Sequence, residues 1–125
     1  RVDALKRALD AAPGATDKMK TDVRALDKRL AAILTAMRGD VTPRKRSEPS
    51  HMSIEERVNG LFDQRQLSSP ATKTAEEQYE IASDLFSAEL TKLRAVDADL
   101  KTLEKAAEAA GAPPTPGRLP DWKKQ

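Results

Sequence analysis

The sequence predicts an all-α protein: an up-and-down four-helix bundle with one long C-terminal helix and an extended, Pro-rich tail. Three observations carry that prediction. Residues 74–110 contain no Gly and no Pro over 37 positions, so nothing in the backbone chemistry interrupts a helix there. Within that stretch Tyr79, Ala82, Phe86, Leu90, Leu93, Val96, Leu100, Leu103, Ala107 and Ala110 recur three or four residues apart, which places them along one side of a helix. The composition agrees, with 34% charged and only 3% aromatic residues, a profile of amphipathic helices rather than of strands rich in β-branched and aromatic side chains. At 1.5 Å per residue the long helix would measure roughly 55 Å, so shorter helices must line up along it.

The helices are expected at about 1–12, 17–38, 53–66 and 74–110. In the first, Val2, Leu5, Leu9 and Ala12 are spaced three, four and three apart, and Pro13 with Gly14 stops the helix. Arg1, Val2 and Asp3 supply no cap, which predicts that this helix began further upstream in a longer chain. Thr16 or Asp17 caps the second helix, whose seam is Met19, Val23, Leu26, Leu30, Ile33 and Met37, widened by Leu34. Gly39 supplies a left-handed stop. So short a connection between these two helices predicts an antiparallel hairpin.

Residues 39–52, with two prolines and the basic run Arg44, Lys45 and Arg46, read as a long crossover loop. Ser50, His51 and Met52 are either native or an internal junction. Ser53 followed by Glu56 forms a capping box, and Ile54, Val58, Leu61 and Phe62 then make an apolar stripe. Gly60, inside that helix, signals either close approach of another backbone or plain tolerance. Thr74 with Glu77 is a second capping box in front of the long helix. Residues 1–110 thus form the bundle and 111–125 the tail, where Gly111 ends the helix and four prolines prevent another. Leu119 and Trp122 are the apolar groups with which that tail can dock.

Composition and motifs exclude several chemistries. The formal net charge of +2 gives no electrostatic case for nucleic acid or an anionic membrane. No apolar run approaches the roughly 20 residues of a membrane span, so no membrane insertion is predicted. With no Cys and His51 as the single His, neither a zinc site nor any other cofactor is predicted. No nucleophile elbow and no Gly-rich phosphate loop occurs.

Two weaker constellations remain. A hydrolase centred on Glu89 or His51 is one alternative function. Glu89 falls where the periodicity expects a core residue, and a buried carboxylate can serve as a functional acid; the simpler arrangement turns Leu90 inward and leaves Glu89 paired at the rim. His51 lies beside Ser50 and Ser53, an adjacency more readily read as chance in a polar loop. The other alternative is weak nucleic-acid binding through Arg44, Lys45 and Arg46, three basic residues without interleaved aromatics.

The segment 53–93 and the tail motif GAPPTPGRLPDWK resemble the C-terminal helical region of bacterial BNR-repeat, sortilin-like (VPS10-type) glycosyl hydrolases. The resemblance rests on Ser53, Ile54, Arg57 and Val58, on Ser69, Pro70, Thr72 and Thr74, and on the closing run of Ala110 to Pro113, Thr115 to Arg118, Pro120 and Trp122. It covers residues 53–124, departing at Pro114, where an aromatic residue is expected. It implies an exported bacterial protein in which a large β-propeller precedes this region and any glycosidase activity lies outside it. No catalytic residue transfers to this chain. The resulting expectation is a non-catalytic structural or interaction module that packs against its parent propeller, another protein or a second copy of itself as a homodimer.

Overall fold

A computed structural model of the chain describes residues 1–40, 51–65 and 72–117. The fold is all-α, a helical bundle, with no strand among the described residues. Its four helices are α1 (Val2–Ala11), α2 (Asp17–Arg38), α3 (Ile54–Arg65) and α4 (Lys73–Ala109). Each lies within one residue of its expected bounds.

The helix ends follow from local chemistry. The Thr16 hydroxyl accepts a hydrogen bond from the Met19 amide at 3.3 Å and caps α2, and Gly39, at φ 83°, stops it. At α3 the capping box is complete. The Ser53 amide donates to the Glu56 carboxylate at 2.8 Å, and the Glu56 amide donates to the Ser53 hydroxyl at 3.2 Å. The expected second box is not the one that forms. Thr72 caps α4 through its hydroxyl and the Ala75 amide at 3.2 Å, so Thr74 already lies inside the helix and Glu77 pairs with Lys73. A hydroxyl two residues earlier meets the first orphan amides and extends the helix toward its N-terminus. The C-terminus of α4 is a Schellman motif: the Ala112 amide reaches the Ala107 carbonyl at 2.9 Å, the Gly111 amide reaches Glu108 at 3.0 Å, and Gly111 takes φ 82°.

The chain divides into two compact units, residues 1–29 with those from 96 onward, and residues 30–95. The first unit holds a closed apolar core of Val2, Leu5, Ala8 and Leu9 from α1, Val23 and Leu26 from α2, and Val96, Leu100, Leu103 and Ala107 from α4. Polar contacts frame it. Lys6 pairs with Asp27 between α1 and α2, Arg29 pairs with Asp99 between α2 and α4, and Arg1 joins α1 to α4 through Glu104 and Asp97. Hydrogen bonding to Asp27 raises the pKa of Lys6 above its ordinary value.

The second unit is built from the C-terminal part of α2, α3 and the N-terminal part of α4. Its buried apolar side chains are Ile33, Ile54 and Ala82 among the described residues. Gly60 of α3 is exposed, and a Cβ built there meets nothing within 4 Å. Tolerance, not close approach, therefore accounts for it. Gly60→Ala is expected to stabilise the protein by about 0.5–1 kcal/mol, because alanine lowers the backbone entropy lost in the helix at no steric cost. Denaturant unfolding would detect this as a raised midpoint, and a lowered midpoint would show that the open space is used.

Candidate functional site

Arg44, Lys45, Arg46, Leu119 and Trp122 lie outside the described residues. His51 is exposed, and the hydroxyl of neighbouring Ser53 donates to the Glu56 carboxylate at 2.9 Å as part of the α3 cap. That geometry engages Ser53 in holding a helix start. Among the described residues no group of His, Asp and Glu is arranged to hold a metal ion, and no helix is long and apolar enough to cross a membrane.

Glu89 differs from the simpler expectation. It is only 9% exposed, whereas Leu90 is half-buried, so the carboxylate, not the leucine, takes the inward slot. Lys92, three residues on, donates to Glu89 at 2.6 Å and compensates the charge from the same helix. The reason is angular. Ala82, Glu89, Val96 and Leu103 share one line at a spacing of seven, and all four are buried.

A parallel line carries the exposed apolar groups. Tyr79, Phe86, Leu93, Leu100 and Ala107 are also seven apart, and their exposure falls in order from 65% through 46%, 41% and 5% to 1%. A heptad repeat drifts by about 20° per heptad on a straight α-helix. That drift cannot by itself separate the two lines, since the line of Ala82, Glu89, Val96 and Leu103 drifts equally and stays buried. Tyr79, Phe86 and Leu93, expected in the core, are corrected to surface positions, because nothing among the described residues covers them as Leu100 and Ala107 are covered in the first unit. The eight exposed large hydrophobic residues among those described all belong to the second unit. Tyr79, Phe86 and Leu93 are joined there by Ile81, Leu85, Leu34, Met52 and Phe62.

Two polar features were not legible in the sequence. Glu104 is 2% exposed, and its carboxylate takes a forked pair of hydrogen bonds from Arg1, Nε at 3.2 Å and Nη2 at 2.8 Å. That bond outweighs desolvation and raises the Arg1 pKa. Asp97 is held below the usual carboxylate range, first by its hydrogen bond with Lys101 and then by Arg1. In the second unit Arg57 donates to Gln78 between α3 and α4, while its Nε is buried without a partner. A spacing rule cannot find either pair, because its members are distant in sequence and only packing brings them together.

Concave surface in the first unit is shallow. A groove of about 490 Å³ between α2 and α4 has Met19, Ala25, Leu26 and Leu103 in its lining. A second, of about 330 Å³, lies between Ala4, Arg7 and Ala8 of α1 and Pro113–Pro116. The buried Thr115 hydroxyl, on the segment that lines it, has no hydrogen-bond partner. In the groove between α2 and α4 the charged lining residues are paired, Lys18 with Asp22 and Arg29 with Asp99.

No family model, curated protein or solved structure matches the chain.

Proposed function

We propose that this chain is a non-catalytic helical interaction module that packs against a protein surface, that of the β-propeller to which its likeness to BNR-repeat, sortilin-like proteins points. The supporting observation is the uneven distribution of apolar surface. One unit closes its core, while residues 30–95 leave eight large hydrophobic side chains in solvent among the described residues. Exposed apolar surface concentrated in one part of a molecule is a mark of protein contact sites. Aromatic side chains such as Tyr79, Phe62 and Phe86 are the type that anchors such contacts.

The test is calorimetric titration of the 125-residue chain into an isolated BNR-repeat propeller. Binding in the micromolar range, weakened by Trp122→Ala, is expected from an anchor of this size at an interface. Absence of heat and of co-migration at high micromolar concentration would remove the propeller as partner.

A further inference from the structure

We infer that the Tyr79–Phe86–Leu93 stripe of α4 is a self-association surface that pairs two copies of this chain in antiparallel fashion about Phe86. The inference rests on the reading of residues 30–95 as the binding half of the molecule and goes beyond it by naming a second occupant.

Three features of α4 select another copy of the same helix. The first is spacing: residues seven apart form a continuous ridge when a second helix lies along it. With Phe86 on the two-fold axis, Tyr79 of one copy meets Leu93 of the other, and Phe86 meets its own counterpart. The second is charge. On the open flank of the ridge Glu76 and Glu80 sit at the N-terminal end and Arg94 at the C-terminal end, all exposed. Among the described residues none of the three has an ion-pair partner. In an antiparallel pair equivalent flanks face each other, so Glu76 and Glu80 approach Arg94 of the other copy; a parallel pair would set this flank against the other side of the partner's ridge, where Ala82 and Glu89 are buried. Between the two ends lie Ser83 and Ser87, side chains small enough to let the helices come close.

The third is area. Aromatic side chains offer about 150–250 Å² each, so the exposed parts of Tyr79, Phe86 and Leu93 come to roughly 300–350 Å² per copy. A symmetric pair covers on the order of 650 Å² of apolar surface, about two-fifths of the ~1,600 Å² that a stable interface buries. Interfaces of that size are only somewhat more than half apolar, so Leu90 and the stems of the flanking charged side chains complete the requirement.

Sedimentation equilibrium of the full chain from roughly 1 µM to 1 mM tests this, with a dimer dissociation constant below about 100 µM expected. Phe86→Glu, which opposes two carboxylates on the axis, should weaken the dimer at least tenfold, with far-UV circular dichroism confirming unchanged helix content. Arg94→Glu should weaken it as well, and adding Glu76→Arg and Glu80→Arg to Arg94→Glu should restore it. A chain that stays monomeric throughout overturns the inference, and so does a dimer indifferent to Phe86→Glu or one that the charge reversals neither weaken nor restore. A monomer that nonetheless binds the propeller would overturn self-association while leaving the interaction-module reading intact.

Discussion

Leu9→Ala is expected to lower the unfolding free energy by about 2–5 kcal/mol. Leu9 is 0% exposed, and with Leu5 it is the largest fully buried side chain. Removing three carbons there loses their transfer free energy and leaves a cavity that the surrounding Leu, Val and Ala side chains refill only in part. The position also matters for α1 itself. Ten residues are too few for a helix to persist in water unaided, so α1 is held by its buried face and the Lys6–Asp27 and Arg1–Glu104 contacts. The control is Leu34→Ala on α2. Leu34 is 49% exposed, and its truncation should cost under about 1 kcal/mol. Urea unfolding followed by circular dichroism compares the two, and a Leu9→Ala loss no larger than that of Leu34→Ala would mean that the first unit is not packed as described.

Gly14→Ala is expected to cost about 1–3 kcal/mol, because an added methyl group has nowhere to go. A Cβ built on Gly14 would stand 2.8 Å from the Ala110 carbonyl oxygen, a backbone atom at the end of α4 that cannot rotate away. The same carbonyl accepts the Gly14 amide at 3.1 Å, so moving the turn to relieve the clash also stretches this hydrogen bond. Beside it Gly111 lies against the Pro13 ring and holds its left-handed conformation. The α1–α2 turn and the C-terminus of α4 thus form one junction at which two glycines are needed for different reasons, one for closeness and one for dihedral angle. Thermal unfolding of Gly14→Ala beside Gly60→Ala would separate the two kinds of glycine. Destabilisation by the first and stabilisation by the second is the expected result, and equal effects would contradict it.

Local chemistry made much of the secondary structure readable in advance. The Pro13–Gly14 stop, the Ser53–Glu56 box, the left-handed Gly39 and Gly111 and the 37-residue run without Gly or Pro each act within a few residues, so a linear reading captures them. The Thr72 cap shows the margin of that reading. Thr74 satisfies the capping-box motif and Thr72, with Ala75 three residues on, does not, yet either hydroxyl can cap, and which one meets the first free amides depends on how far α4 can extend. The candidate sites were less legible. The basic run at 44–46 and the tail residues Leu119 and Trp122 lie outside the described residues. The apolar ridge was visible as a pattern, but its exposure was not.

By itself, then, the sequence determined the number, bounds and apolar sides of the helices, because hydrogen bonding, capping and the 3.6-residue turn are properties of neighbouring residues. Tertiary structure decided which apolar residues are covered, since along one line of α4 the exposure falls from 65% at Tyr79 to 1% at Ala107, where the first unit packs against the helix. It also decided the burial of Glu104 opposite Arg1 and of Glu89 in a slot expected to be apolar. Burial is a relation between surfaces that meet in space, and periodicity along one helix says only which side is greasy, not whether anything lies against it.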